Sequence, residues 1–347
     1  MGDDDFDLDA IQSAVARQLA AARERRIRWG IQGPPIAQLI GGHRVVAAYN
    51  ELLTIRADAT YHDFLGEYVL RILGEDWWRL EAQKSADDRH VLVNWHISTQ
   101  KWMLDNSRGE GVVREAPMPP ATGHLMRVAF NMHQIRHLGL LLGSLIKRIK
   151  NPQQFQGARY ELAISAAFAR ANFRIELEPE GKGPQKRCEF VATHIPSKRQ
   201  YSVEAKSRHR PGVLGRPPGG RSSKVEPHVA TLIRKALAKA ADHDRIICVD
   251  VNHPQKESEL PPSWGTTIRR QVNDLESEEY GPAILIFTNA PFHYLPPGEP
   301  ARGELAVVMG LKEPRFQPQD SQSVLRQFPG ILDAANAFST PVPSTWD

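Results

Sequence analysis

Residues 200–206 read QYSVEAK, and this stretch decides the fold that the sequence predicts for its second half. Apolar and polar residues alternate along it, which is the period of a β-strand with one buried face. Glu204 and Lys206 would then lie on one face, and Val203 and Ala205 on the other. The sequence therefore predicts a carboxylate and an ammonium that emerge side by side from a sheet.

Residues 187–194, just before this stretch, show the same alternation. Cys188 and Phe190 would take the apolar face, which leaves Glu189 on the opposite one. If the two segments pair as a hairpin across a Pro-Ser-Lys turn, Glu189 and Glu204 converge on one point. Two carboxylates with a few waters are what Mg²⁺ favours, because it binds hard oxygen ligands and keeps much of its hydration.

Such a group suits the hydrolysis of a phosphodiester. A metal neutralises developing charge and activates a water, while Lys206 would orient that water or stabilise the charge on phosphorus. The alternative interpretation is that Glu204 and Lys206 form a surface ion pair on an exposed strand, which contributes little. The short triplet alone does not decide between the two interpretations.

The elements around these strands predict a mixed sheet. A helix at residues 157–172 precedes them, and the segments that follow alternate between helices and short apolar strands. The predicted strands lie at 173–178, 187–194, 200–206, 245–251, 283–288 and 305–309, and the later helices at 225–241, 266–278 and 324–337. The order α-β-β-β-α-β, followed by α-β, is typical of an α/β fold with helices on the faces of a mixed sheet.

The first half predicts a different architecture. Apolar residues recur at three- and four-residue spacing through residues 11–26, 61–80 and 125–149, which indicates helices. Five tryptophans in this half suggest a core or contact surface of its own. We expect a mainly helical domain at 1–150 for recognition, partner binding or oligomerisation. A core domain at 151–295 and an extension at 296–347 with a loose, Pro-rich end would follow it.

Composition excludes several classes of protein. The chain has 347 residues, a net charge of +4 and only two cysteines, without a CxxC pair, so no disulfide framework or thiolate zinc site is expected. No apolar run approaches the length of about 20 residues that a membrane span needs. Met1 is followed by acidic residues rather than a basic and apolar leader, so we expect a cytoplasmic protein without a membrane partner.

The motifs together resemble the PD-(D/E)XK nuclease superfamily, and within it they are most similar to the Mrr-like restriction endonucleases. The resemblance includes Gly157 and the Tyr160-Glu161 pair at the start of a helix, the three-strand meander, the acid Glu189, the triplet at 204–206 and the next helix. It covers roughly residues 153–290. The order and spacing of these short motifs supply its specificity.

The resemblance implies a restriction-endonuclease-like fold and a Mg²⁺- or Mn²⁺-dependent endonuclease, acting on DNA in bacterial defence against foreign DNA, with a homodimer as a possible form. Glu189 and Glu204 would be the two metal-binding acids and Lys206 the catalytic lysine. Glu161 would be the helix acid that supports the metal, and the backbone carbonyl of Ala205 a further ligand. This chain departs from the family in having Glu189 where Asp is usual, and Cys188 where Pro or Gly is usual. An alternative for Glu161 is a first-turn carboxylate that complements the helix dipole.

A cationic loop follows the triplet. Between residues 206 and 224 there is no Asp or Glu, and the basic residues expected to contact phosphate are Arg208, Arg210, Arg216, Arg221 and Lys224. The alternative is a solvated linker whose arginines keep it soluble. On the next helix, Lys235 and Lys239 could line the same groove or could lie on a solvated helix face.

Three functions therefore stay open. The first is a metal-dependent endonuclease. The second is a catalytically degenerate nuclease fold that binds nucleic acid or a protein without cutting. The third is an interaction scaffold that captures a partner protein through residues 1–150.

Overall fold

The computed structural model describes residues 8–30, 33–106, 117–178, 187–209, 227–253, 263–290, 304–313 and 327–346. Their strands are β1 (Ala37–Ile40), β2 (His43–Ala48), β3 (Glu51–Arg56), β4 (Phe173–Leu177), β5 (Phe190–His194), β6 (Gln200–Ser207), β7 (Asp244–Asp250), β8 (Ala283–Asn289) and β9 (Leu305–Leu311). Their helices are α1 (Leu8–Trp29), α2 (Tyr61–Leu73), α3 (Glu75–Ala82), α4 (Val91–Asn106), α5 (Pro120–His137), α6 (Gly143–Lys150), α7 (Phe155–Arg170), α8 (Ala230–Leu237), α9 (Ser263–Glu276) and α10 (Ile331–Ser339).

A six-stranded mixed sheet organises the second half. Its strands lie in chain order from β4 to β9. The meander β4-β5-β6 is antiparallel, β6, β7 and β8 are parallel, and β9 returns antiparallel to β8. With α7 before the meander and α8 between β6 and β7, the predicted α-β-β-β-α-β order and the mixed sheet are confirmed.

Helices cover both faces of this sheet, and the strand alternation decides which residues face which helix. Tyr201 and Val203 of β6 belong to the hydrophobic cluster that includes α7. Ile247 and Val249 of β7 belong to a second cluster with α8 and α9. Since Tyr201 and Val203 face α7, Glu204 faces the side of α8, as its period-two pattern predicts.

The turn between β5 and β6 is the hairpin that the sequence predicts. The N–H of Lys198 donates to the carbonyl of His194, and the N–H of His194 donates to the carbonyl of Arg199, both over 2.8 Å. Lys198 has a φ of 62°, the left-handed conformation that closes the turn.

The prediction of a mainly helical first half is incomplete. Three antiparallel strands, β1 to β3, lie between α1 and α2. The pairing of Ala48 with Glu51 leaves a two-residue turn, in which Tyr49 has a φ of 60°. Val46 and Ala48 are buried on one strand, and Leu53 and Ile55 on the next, so the period of two is present in this segment.

The two halves of the chain share one core. The larger hydrophobic cluster extends from Trp29 to Phe338 and includes residues of both α5 and α7. The guanidinium of Arg170 lies over the ring of Phe130, 5.0 Å from its centre. The division at residue 150 stays a prediction about folding units, but packing is continuous across it.

The described residues at the C-terminal end contact the first half of the chain through Trp346, and the predicted loose end stays a prediction. The indole N–H of Trp346 donates to the carbonyl of Ala59 over 2.9 Å, and its ring packs against Tyr61 and Phe64. This segment is held because its tryptophan covers an aromatic cluster of the first half.

The structure also bears on the expected lack of a membrane partner. Among the described helices, none combines the length and the apolar character needed to cross a membrane.

Candidate active site

Glu204 lies at the centre of the candidate site and is completely buried. Its Oε1 atom is in ion-pair contact with the Nζ atom of Lys206, two residues along the same strand. It is also 2.8 Å from the Nζ atom of Lys239. The alternative of a surface ion pair on an exposed strand is therefore wrong, because the carboxylate is enclosed and has two cationic neighbours.

Lys239 brings the two predicted acids together. Its Nζ atom lies 3.2 Å from Oε1 of Glu189 as well as 2.8 Å from Oε1 of Glu204. One ammonium therefore stands between the carboxylates. Strand pairing predicts that Glu189 and Glu204 converge on one point. In the structure, the point at which they converge is the ammonium of Lys239.

The turn after α8 fixes the backbone of Lys239. The guanidinium of Arg245, near the start of β7, donates to the carbonyl of Leu237 and, over 2.8 Å, to the carbonyl of Lys239. The next residue, Ala240, forms a parallel β-bridge with Arg187. Residues that follow α8 are thus held beside the residues that precede β5, and the lysine stem starts from an anchored position.

Glu189 lies at a bend just before β5 rather than within a strand, and its N–H donates to the carbonyl of Val203 over 3.0 Å. The strand predicted at 187–194 is therefore shorter than expected, and the prediction that Cys188 and Phe190 lie on one face is wrong. Phe190 packs in the cluster with α7, whereas the thiol of Cys188 donates to the carbonyl of Ala240 over 3.5 Å. The bend interrupts the alternation on which that prediction depended.

Burial and charge act together on the site. Burial raises the pKa of Glu204, and the charge of Glu189 raises it further, while Lys206 and Lys239 oppose the shift. For Lys239, burial acts to lower the pKa, but the two carboxylates outweigh it and leave the pKa raised. Burial, helped by the charge of Glu204, also raises the pKa of Cys188 to about 11, so this thiol stays protonated at neutral pH.

Glu161 is held away from these lysines by a different partner. Both of its carboxylate oxygens contact Nη2 of Arg148, at 2.8 and 2.7 Å. Since α7 begins at Phe155, Glu161 lies in its second turn, and the first-turn dipole alternative is wrong. A cavity of about 200 Å³ is lined by Glu161, Arg148, Glu178 and Glu189 among others, so Glu161 and Glu189 border the same space.

The predicted phosphate-binding residues are only partly described. Arg208 lies at the end of β6, where its carbonyl accepts hydrogen bonds from Gln156 and Asn252 over 2.7 and 3.0 Å. Lys235 is exposed on α8. The other four predicted contacts lie outside the described residues: Arg210, Arg216, Arg221 and Lys224.

Two features of the site were missed from the sequence. For Lys239, the sequence predicts only a place in the groove or on the helix surface, although a lysine directly after a helix that returns to the sheet is well placed to meet strand carboxylates. The second is the buried pair of Asp250 and Arg159, 3.0 Å apart, at the end of β7. An acid that ends an apolar strand, as Asp250 does, is the sequence signal for such a pair.

The donor set can be tested against Mg²⁺. Both carboxylate oxygens of Glu204 are buried, and neither has a well-aligned hydrogen bond with any described residue, although the lysines are close. Within the described ranges, no three acidic, His or Cys side chains are grouped to hold a metal by themselves. Mg²⁺ commonly uses one or two protein carboxylates together with water and substrate oxygens, so Glu189 and Glu204 fit it.

Comparison with known proteins gives no relative for this chain: no family model, no curated protein and no solved structure matches it.

Proposed function

We propose that this chain is a Mg²⁺- or Mn²⁺-dependent endonuclease that hydrolyses phosphodiester bonds, with DNA as its substrate and a restriction-endonuclease-like fold in its second half. The observation that carries the proposal is the completely buried Glu204, flanked by Lys206 and joined to Glu189 through Lys239. Burying a carboxylate costs folding free energy, and ionisable groups that burial perturbs in this way cluster at functional sites.

The roles of the side chains follow from their positions. Glu189 and Glu204 would hold the metal, with the backbone carbonyl of Ala205 as a further oxygen ligand. The bound ion would supply a Lewis acid and a water of lowered pKa. Lys206 lies beside Glu204 on the same face, so its ammonium would orient the attacking water and stabilise the negative charge that develops on the phosphate.

The surroundings of the site support a polyanionic substrate. Arg208 continues the chain from the same strand, and Lys235 is exposed on the next helix. The sequence from 206 to 224 contains no acidic residue, so the segment that begins beside Lys206 is cationic throughout. Defence against foreign DNA in the cytoplasm, as a homodimer or with a partner bound by residues 1–150, is the biological setting that we propose.

The test is cleavage of supercoiled plasmid with Mg²⁺ or Mn²⁺. We expect Glu204→Gln and Lys206→Met each to lower the cleavage rate at least about 100-fold, as loss of a charge-stabilising group commonly does. Glu176→Gln is the matched control, because Glu176 is an exposed acid of the same sheet that pairs with Arg174. Absence of cleavage by the wild type with either metal, or undiminished cleavage by the two site variants, would overturn the proposal.

The second candidate function is a binding module that does not cut. It is favoured by one observation, that an ammonium already fills the space between the two acids. Such a module would bind DNA without metal, and its affinity would fall steeply with salt and with Arg208→Ala. Metal-independent binding together with an inert plasmid would favour this candidate over the nuclease.

A further inference from the structure

Lys239 lies where a positive charge is needed to hold Glu189 and Glu204 together when no metal is bound. Two carboxylates that share a metal repel each other when the metal is away, and Glu204 has no access to solvent. Some other positive charge must then hold the pair. Lys239 meets both acids, whereas Lys206 pairs with Glu204 and not with Glu189 among the residues that the structure describes.

We propose that Lys239 is a positioning residue whose ammonium acts as a built-in counter-ion, holding Glu189 and Glu204 together before metal binding and leaving when the metal binds. This inference deepens the proposed function and rests on its metal site. It adds a residue that competes with the metal for the same two carboxylates.

Lys239 is placed both to hold the two acids together and to leave them when the metal binds. Its backbone is fixed by Arg245 and by the bridge of Ala240 to Arg187, so the stem always starts beside the acids. Its side chain is 16 % exposed, whereas that of Glu204 is completely buried, so Lys239 borders solvent and Glu204 does not. Lysine also carries its charge on a flexible four-carbon stem and lacks the rigid fork with which arginine grips a carboxylate.

A permanent structural ion pair would behave differently. If Lys239 stayed in place, it would help to hold the acids in the geometry that the metal needs, and its loss would weaken metal binding. If it is a competitor, its loss removes both a rival cation and a positive charge from the site, and metal binding becomes tighter. The two roles therefore predict opposite signs for one measurable quantity.

The experiment is calorimetric titration of the full-length protein with Mn²⁺ alone, without nucleic acid. We expect Lys239→Met to bind Mn²⁺ on the order of tenfold more tightly than the wild type. Its melting temperature without metal should be lower than that of the wild type, and the increase on adding Mn²⁺ should be larger. Lys101→Met is the control, since Lys101 is an exposed lysine on α4 that does not belong to the candidate site; it should match the wild type in Mn²⁺ affinity.

Two further variants keep the inference testable. Lys239→Arg retains the charge and should bind Mn²⁺ no more tightly than the wild type. If Lys239→Met does not fold, Lys239→Gln removes the charge while keeping a polar head, and it should show the same gain in affinity.

The possible outcomes separate this inference from the proposed function. Equal or weaker Mn²⁺ binding by the neutral variants, beside a wild type that does bind, overturns only the role of Lys239. A wild type and neutral variants that all fail to bind Mn²⁺ overturn the metal site and the counter-ion role together.

Discussion

Arg159 of α7 and Asp250 at the end of β7 form a buried ion pair, with Nη2 of the arginine 3.0 Å from Oδ2 of the aspartate. The same carboxylate oxygen accepts a hydrogen bond from the hydroxyl of Ser207 over 3.2 Å. The backbone carbonyl of Asp250 accepts the N–H of Arg208 over 3.1 Å. This pair therefore fixes where β6 ends, and with it the point at which the cationic segment leaves the sheet.

Replacing one member of this pair should destabilise the protein strongly. Asp250→Leu leaves the guanidinium of Arg159 buried without its counter-charge, so we expect the free energy of unfolding to fall by about 3–5 kcal/mol. The double variant Arg159→Met/Asp250→Leu should lose less than Asp250→Leu alone, because no charge is then left unpaired. Urea unfolding measures both, and a double variant less stable than Asp250→Leu would contradict the ion-pair account.

Glu204→Gln should separate stability from activity. The substitution keeps the size of the side chain and relieves the repulsion from Glu189. Because Lys206 and Lys239 are both partly exposed, neither is left as a fully buried charge, and we expect a change in stability within about 1 kcal/mol. Cleavage, in contrast, should fall at least about 100-fold. Chemical unfolding and plasmid cleavage on the same preparation check this, and a large loss of stability would make Glu204 a structural residue.

Glu161 and Arg148 should be energetically coupled. Because both side chains are partly exposed, at 15 % and 29 %, solvent screens the pair, and we expect a coupling energy of about 1 kcal/mol in a double-mutant cycle of Glu161→Gln and Arg148→Met. The cycle is measured by urea unfolding. Zero coupling would show that the contact contributes nothing to stability, and a loss of Mn²⁺ affinity in Glu161→Gln alone would support the metal-supporting role that the family resemblance implies.

At the site, the sequence predicts what depends on local strand alternation and misses what depends on contacts between separate segments. The direction of Glu204 was predictable because strand alternation is local, and a period of two places Glu204 on the face opposite to Tyr201 and Val203. The position of Lys239 was not, because it depends on how the turn after α8 folds back against residues before β5. The bend at Glu189 was also hidden, since alternation in the sequence continues where the strand itself has not yet begun.

In the rest of the fold, the same distinction holds. The meander and the parallel strands follow from short apolar segments and their order. The hairpin β2-β3 carries the period of two, but it lies within a first half that the sequence predicts to be mainly helical. The contact of Trp346 with Ala59 joins residues 287 positions apart, and no local sequence pattern predicts it.

Trp346 should contribute measurably to stability. The ring of Trp346 packs against Tyr61 and Phe64. The guanidinium of Arg44 lies over the same ring, 5.1 Å from its centre. Since the ring is only partly buried, we expect Trp346→Ala to lower the free energy of unfolding by about 2–3 kcal/mol, below the loss for a fully buried tryptophan. Urea unfolding monitors this, with the exposed Thr345→Ala as control. A change below about 0.5 kcal/mol, the size of an ordinary surface substitution, would support the prediction of a loose end.

Acid should destabilise the protein through its buried histidines, most clearly His133. Burial among aromatic rings lowers the pKa of His133 to about 3, and its Nδ1 atom is hydrogen-bonded to the hydroxyl of Tyr61 over 2.9 Å. The unfolded chain takes up this proton near pH 6.5 and the folded chain does not. Stability is therefore fully present above that pH and is lost as the pH falls, by up to about 1.4 kcal/mol per pH unit for this residue. Unfolding measured from pH 6 to pH 4 should show a shallower slope for His133→Gln than for the wild type. Parallel slopes for His133→Gln and the wild type would show that this imidazole does not carry the acid sensitivity.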